Sequence, residues 1–323
     1  MNERYVDHPA DGIDLSIIIV NWNTRDLLRD CLNSVYKNVS DLIIETIVVD
    51  NFSSDGSIAV LEKEFPSVIK IFNKENKGFG AANNQALKIM KGRYALLINS
   101  DAVLTPGAVN KLWDFCEANE KSAIVGGQLL NADGSRQNSI ASFPSLLTLA
   151  VNNSLLEYLF SRRYPSKRYK HTSPLEVDSV VGACMMIRKK ALEETGAFDE
   201  RYFFFFEETD LAYTMRLQGW KIYQVPDAFI YHLQGQSIGH KARSRIEFYR
   251  SRYQFLRKWH KSPYFLLAKS IIFLRLLVDE VSYLIFIFLT LGLNKKARRK
   301  FITYSELIRW HFQKGSYLQD QYS

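Results

Sequence analysis

Leu15-Ser16-Ile17-Ile18-Ile19-Val20 is a continuous apolar, β-branched run that stops on Asn21-Trp22-Asn23-Thr24. A run of that kind reads as a strand buried on both faces. Beyond the turn, Leu27, Leu28, Cys31, Leu32 and Val35 recur at helical spacing. The same alternation then repeats. Ile43 to Val49 reads as a strand closing on Asp50, Asn51 to Gly56 as a loop, and Ile58 to Phe65 as a helix. Val68 to Phe72 gives a third strand and Gly80 to Met90 a third helix. Tyr94 to Ile98 is a fourth strand, closing on Asn99-Ser100-Asp101. Strands and helices alternating at this spacing predict an α/β fold with a mostly parallel central sheet flanked by helices.

In open sheets of this type, ligands bind beyond the carboxyl ends of the strands. The chain places Asn21, Asn23, Asp50, Asn76 to Gly78 and Asp101 at those ends. The middle, Gln128 to Leu175, is less regular. Val177 to Ile187 reads as one strand running through Gly182-Ala183-Cys184, and Phe203 to Trp220 joins an aromatic run to acids and then a helix. Past His240 come a basic helix, Arg243 to His260, and an apolar stretch, Tyr264 to Leu293.

A chain of 323 residues with net charge +8 holds one large domain, or a domain of about 200 residues with an appendage. From Lys241 onward there are 17 Lys/Arg against 5 Asp/Glu. The tail is therefore strongly basic and the preceding body slightly acidic. That pattern argues against nucleic acid as a partner and for a tail that meets an anionic surface. Cys31, Cys116 and Cys184 are expected to be reduced, partly buried thiols in a cytosolic protein. Met1 to Asp14 is polar, so no signal peptide is expected.

Asp101 is the centre of the chemical argument. A carboxylate at the end of a central strand can hold Mg²⁺ or Mn²⁺, which bind one or two protein carboxylates and complete their shells with water and phosphate oxygens. The alternative is a loop Asp capping the helix near Pro106. Asp50 can accept a hydrogen bond from a nucleobase, or serve as a turn and helix cap. Asn76-Lys77-Gly78-Phe79-Gly80 lets backbone approach a phosphate at a helix N-terminus. Glu207, Glu208 and Asp210 follow four phenylalanines. Apolar surroundings and mutual repulsion raise carboxyl pKa values, which suits a general base near neutral pH; an ordinary acidic helix start is the alternative. His232 is a candidate metal or phosphate ligand, against a structural histidine.

Six segments, in this order, carry a resemblance. They are Ser16-Ile-Ile-Ile-Val-Asn-Trp-Asn23, Val48-Val-Asp-Asn-Phe-Ser-Ser-Asp-Gly56, Asn76-Lys-Gly-Phe-Gly-Ala-Ala-Asn-Asn-Gln85, Leu97-Ile-Asn-Ser-Asp-Ala102, Phe205-Phe-Glu-Glu-Thr-Asp-Leu211 and His232-Leu-Gln-Gly-Gln-Ser237. The chain from about Ser16 to Gly239 resembles the inverting family-two glycosyltransferases of the GT-A fold, and within them the bacterial rhamnosyltransferase-like branch. The resemblance implies a GT-A domain over residues 1–240, with a donor half at about 14–105 and an acceptor half at about 106–240. Residues 241–323 would form a basic, partly apolar helical extension.

It further implies a nucleotide-diphosphate sugar as donor, either dTDP-rhamnose or a UDP-sugar, with a saccharide or lipid-linked saccharide as acceptor. Asp50 would contact the base. Val20, Asn21, Asn23, Asn51, Lys77, Gly78, Asn83, Asn99 and Ser100 complete the expected donor-binding set. Asp101 would ligate a divalent cation, with His232 as a second ligand; the family's Asp-x-Asp reads Asn99-Ser100-Asp101 here, so only its last carboxylate is present. The catalytic base falls at Glu208, where the family has Asp, with Glu207 as second candidate. Asp210 and Arg216 would support that helix.

The uninterrupted apolar stretch Val281 to Leu293 is shorter than the ~20 residues a spanning helix needs. With Lys295, Lys296, Arg298, Arg299 and Lys300 following it, it predicts amphipathic helices on an anionic cytoplasmic leaflet. Packing on the body and a homo-oligomer interface are the alternatives. Two other functions remain: a nucleotidyltransferase, for which Asn21 to Thr24 offers no basic phosphate loop, and a catalytically silent binding module.

Overall fold

The computed structural model of the chain describes residues 12–39, 41–165, 169, 171–233 and 241–312. The polar opening through Asp11, and Gln234 to Ser237 of the His232 motif, lie outside the described residues. In chain order the elements begin β1 (Leu15–Asn21), α1 (Arg25–Asn38), β2 (Ile44–Asp50), α2 (Ser57–Glu64), β3 (Ile69–Phe72), α3 (Phe79–Leu87) and β4 (Tyr94–Asn99). There follow β5 (Ala102–Leu104), α4 (Ala108–Ala118), β6 (Ser122–Leu130), β7 (Ile140–Ala141), α5 (Leu146–Ala150), α6 (Asn153–Leu159), β8 (Leu175–Glu176) and β9 (Ser179–Val180). The chain continues through β10 (Cys184–Arg188), α7 (Lys189–Thr195), α8 (Glu207–Leu217) and β11 (Lys221–His232), and then α9 (Lys241–Trp259), α10 (Ser262–Leu289) and α11 (Lys295–Phe312).

The main sheet runs β3-β2-β1-β4-β10-β6-β11-β5, with β8 on β11. Its first half is parallel: β1 pairs with β2 and β4, and β2 with β3. Ile17, Ile18 and Ile19 are fully buried in β1: Ile17 and Ile19 share a core with Leu28, Leu32 and Val35 of α1, and Ile18 shares one with Ala82 and Ala86 of α3. In the second half β10 is antiparallel to β4 and β6, β11 is parallel to β6, and β5 is antiparallel to β11. The expected single strand Val177 to Ile187 is in fact two, β9 and β10, separated at Val181 to Ala183. β9 leaves the main sheet to pair with β7, and β10 pairs with β4. The break at Gly182 matters for the site.

The described chain divides into two compact units. The first is Met1–Phe143, Ser161–Phe203 and Glu207–Ser237; the second is Pro144–Phe160, Phe204–Phe206 and Ile238–Ser323. Pro144–Phe160 and Phe204–Phe206 group with the tail helices in the second unit. Their chemistry gives the reason. Leu149 joins Tyr253, Leu256, Ala268, Ile272, Leu276, Leu307 and Trp310 in the tail unit's core. Arg275 donates to the carbonyl oxygens of Leu149 and, at longer range, Val151, at the end of α5 (3.0 and 3.4 Å), where a cation also complements the helix dipole.

Within the tail unit α10 is apolar on two faces. Ala268, Ile272 and Leu276 point inward. Leu267, Leu274, Val278, Val281, Ile285 and Phe288, spaced at alternating threes and fours after a first step of seven, stay exposed. Among the described residues no helix is long and apolar enough to cross a membrane.

Candidate functional site

A buried polar chain ties the ends of β2, β1 and β4 together. Asp50 accepts from Asn21 Nδ2 (2.8 Å) and from the Ser53 backbone N–H (2.8 Å). Asn21 Oδ1 accepts from Thr24 Oγ1 (2.7 Å), which meets Ser100 Oγ at 2.7 Å. Asp50 and Asn21 are fully buried, so each polar atom needs a partner. This network satisfies them and sets the shape of the strand ends. Val20 lies beside it, paired with Val49 and Asn99.

Around it the surface is aromatic. Trp22 and Phe52 are exposed, and Phe52 and Asn23 both adopt the left-handed backbone region (φ +73° and +53°). Asn23 Oδ1 accepts from the Ser54 N–H, which stabilises that turn. Non-glycine residues held in left-handed conformations concentrate where a site demands a particular shape.

Asn51 organises the next loop. Its side chain bonds Asn76 Oδ1 (2.8 Å), the Gly78 carbonyl (3.2 Å) and the Lys77 N–H (3.0 Å). Gly78 is obligatory: at φ +84° a Cβ would lie 2.4 Å from the Phe203 carbonyl oxygen. That carbonyl accepts the Phe79 N–H, the first of α3 (2.9 Å). The first amide of α3 is thus taken by the chain itself. Asn83 is buried in α3 and donates to the Phe79 carbonyl, and Lys77 is exposed.

Asp101 and His232 meet because of sheet register. β5 pairs antiparallel with β11, placing His232 opposite Ala102, and Leu233 N–H donates to the Asp101 carbonyl. His232 Nε2 lies 3.3 Å from Asp101 Oδ1. Nearby, Asn99 Oδ1 is buried and makes no hydrogen bond among the described residues. No cluster of three or more His, Cys, Asp or Glu able to hold a metal occurs among the described residues. A two-ligand site still fits Mg²⁺ or Mn²⁺, which take one or two protein ligands plus phosphates and water. The 3.3 Å separation is close to the edge of an octahedron with ~2.1 Å bonds, about 3.0 Å.

Glu207, Glu208 and Asp210 open α8. Burial pushes the Glu208 carboxyl up to about 7, and its Oε2 has no hydrogen-bond partner among the described residues. Glu207 is buried, with its Cβ 3.6 Å from where a Gly80 side chain would begin. Asp210 accepts from Tyr202 OH (3.1 Å); burial first, and Asp210 second, push that phenol well up. Arg216 sits eight residues beyond Glu208 along α8, about 12 Å at 1.5 Å per residue. There it binds the Val177 carbonyl and Asp178 rather than Glu208.

The split between β9 and β10 joins these parts. Asn99 N–H donates to the Ala183 carbonyl (3.0 Å). Glu208 Cβ and Cγ lie 3.8 Å from the position of a Gly182 Cβ. The two residues Gly182 and Ala183 thus stand between the Asn99 strand end and the Glu208 side chain. Gly182 was quoted in the sequence only as part of a strand; its lack of a side chain, falling between two polar clusters, was the available signal. Thr24 and Ser53 were not singled out from the sequence, because the bonds of Thr24 to Ser100 and of Ser53 to Asn21 join residues distant in the chain. The three cysteines are buried, free thiols.

The profile described as Glycosyl transferase family 2 matches residues 16–196. N-acetylglucosaminyl-diphospho-decaprenol L-rhamnosyltransferase of Mycobacterium tuberculosis is 27% identical over 268 residues, 79% of this chain and 84% of that protein. The mannosyltransferase of Pyrobaculum calidifontis, solved with GDP-Man and Mn²⁺, superposes with TM-score 0.56 at 15% identity, covering 92% of this chain and 85% of the other. GalNAc-T7, solved with UDP, GalNAc and Mn²⁺, gives TM-score 0.56 at 14% identity over 77% and 50% of the two chains.

Proposed function

Because the chain belongs to glycosyl transferase family 2 and has the GT-A fold of its solved neighbours, we propose that it transfers a hexose with inversion from a nucleotide-diphosphate donor. The acceptor is a saccharide or lipid-linked saccharide of bacterial cell-surface polysaccharide synthesis. The rhamnosyl relative supports dTDP-rhamnose first and UDP-sugars second. The observation that carries the reading is Glu208: a carboxyl raised to about 7, with an enclosed oxygen, one short segment from the Asn99-Ser100-Asp101 strand end.

In the proposed displacement, Glu208 takes the proton of the acceptor hydroxyl. That oxygen bonds to the anomeric carbon as the bond from this carbon to the diphosphate breaks. Glu207 is the second candidate for the proton. The Asp50–Asn21 network, with Val20, Asn23 and Asn51, holds the nucleoside; Phe52 and Trp22 offer faces for base stacking. Lys77, Gly78, Asn83, Asn99 and Ser100 shape the side that faces the diphosphate and sugar. Asp101 and His232 would hold Mg²⁺ or Mn²⁺, which neutralises charge on a departing diphosphate. Asp210 fixes α8 through Tyr202, and Arg216 fixes its far end.

The exposed stripe of α10 and the basic start of α11 (Lys295, Lys296, Arg298, Arg299, Lys300) support peripheral contact with the cytoplasmic face of a membrane. Phe288, Leu289, Leu291 and Leu293 are all strongly exposed, and the basic residues follow at once. Insertion is therefore shallow, with the cations at headgroup level.

The test is turnover of a nucleotide-sugar panel with Mg²⁺ or Mn²⁺ and a lipid-linked saccharide, repeated with EDTA. Metal-dependent release of one nucleoside diphosphate, coupled to product, is expected. Silence with every donor and acceptor would contradict the proposal.

A further inference from the structure

Gln137 lies in the irregular middle of the sequence, 95 residues from His232, yet both ends of its side-chain amide are committed to that one histidine. Its Nε2 donates to the His232 backbone carbonyl. Its other amide atom, Oε1, lies 3.0 Å from His232 Nδ1. Gln137 and His232 are both buried, so water does not substitute for either bond. The Gln137 backbone is itself pinned to β6: its N–H donates to the Leu129 carbonyl (2.8 Å), and its carbonyl accepts from Gln128 Nε2 (3.0 Å).

These contacts remove the usual ambiguity of an amide and an imidazole. A backbone carbonyl only accepts, so the amide atom facing it must be the nitrogen. The oxygen is then forced toward the ring, and Nδ1 must carry the proton to meet it. In the neutral ring Nε2 therefore presents a lone pair, and it presents it to Asp101 Oδ1 at 3.3 Å. Two acceptors facing each other at that distance, both enclosed, call for a positive charge between them.

We propose that Gln137 is the positioning residue of this pair: it fixes the Nδ1–H tautomer of His232 so that Nε2 and Asp101 converge on a divalent cation. Outer-shell groups that set the tautomer of a ligating histidine are a recurrent part of metal sites, and their loss typically weakens metal affinity about 10–100-fold. The inference rests on the metal reading given above, but its first consequence, the tautomer, exists without any metal.

The test uses the full chain with ¹⁵N-labelled histidine. In metal-free wild-type protein, His232 should show a protonated Nδ1 and a pyridine-like Nε2; the opposite tautomer would overturn the proposal with no variant needed. Gln137→Leu should lose that preference and bind Mn²⁺, titrated with a nucleoside diphosphate present, about 10–100-fold more weakly. Gln137→Glu separates positioning from simple bracing. A carboxylate still accepts from Nδ1–H but cannot donate to the His232 carbonyl. Positioning predicts that Gln137→Glu keeps the Nδ1–H tautomer that Gln137→Leu loses. Equal loss in the Glu and Leu variants would mean that Gln137 only braces the backbone. Wild-type protein with the inferred tautomer but no Mn²⁺ uptake would overturn the metal reading alone.

Discussion

At the scale of single residues, Glu208 makes the sharpest commitments. Its carboxyl is raised from 4.5 to about 7 by burial, so a base at this position is half charged near neutrality and loses its charge as the pH falls. The rate of transfer should fall as pH drops through about 7, and Glu208→Gln should abolish that limb of the profile. Stability moves the other way. Folded Glu208 holds a proton that the unfolded chain has already released, so stability declines as pH rises from about 4.5 to about 7. Glu208→Gln removes this decline. The variant should melt above wild type at pH 8, by up to about 3 kcal/mol, and close to it at pH 4; thermal melts at both pH values decide. The acid cluster was legible because three carboxylates after four phenylalanines are conspicuous in any chain. Gln137 was not, because its meaning depends on a histidine far away in sequence.

At the scale of elements, the parallel half of the sheet was legible almost to the residue. β1 carries the apolar run Ile17 to Val20 and β2 the run Ile47 to Val49, and α1 shows its inward face as Leu28, Cys31, Leu32 and Val35. The second half was not. A run such as Val177 to Ile187 gives no sign that Gly182 separates two strands pairing with different partners. Nor does Pro144 to Phe160 announce that its first short helix, α5, packs with α10. The loop before α3 was recognised as a Gly-rich turn, but what demands the glycine is the Phe203 carbonyl. Gly78→Ala should consequently cost about 1–2 kcal/mol for the left-handed backbone alone, and more for the 2.4 Å overlap. Chemical denaturation measures this, and a neutral result would mean the loop seats differently. Two residues just before α8, Phe205 and Phe206, both have φ +69°, a second strained approach to the acid cluster.

At the scale of the whole chain, the basic tail was legible from charge counting alone, and its apolar content from the run Tyr264 to Leu293. What the sequence did not reveal is that α10 uses one apolar face for its own core and leaves another exposed. Contiguous exposed apolar patches mark membrane or protein contacts, and this stripe runs from Leu267 to Phe288. Full-length protein should co-sediment with anionic vesicles at low salt and be released as salt rises, since each basic residue contributes about 1 kcal/mol and is screened. Paired Phe288→Glu and Leu289→Glu should weaken binding without changing the rate on a soluble acceptor. Protein that ignores the vesicles and elutes as a dimer would assign the stripe to self-association instead.

The proposed transfer stands most directly on one comparison, wild type against Glu208→Gln, in product formation and in donor binding by calorimetry. Loss of a general base predicts kcat lower by about 10²–10⁴, with the donor Kd changed little. Product formation at the wild-type rate in Glu208→Gln would contradict the assignment of Glu208 as the base.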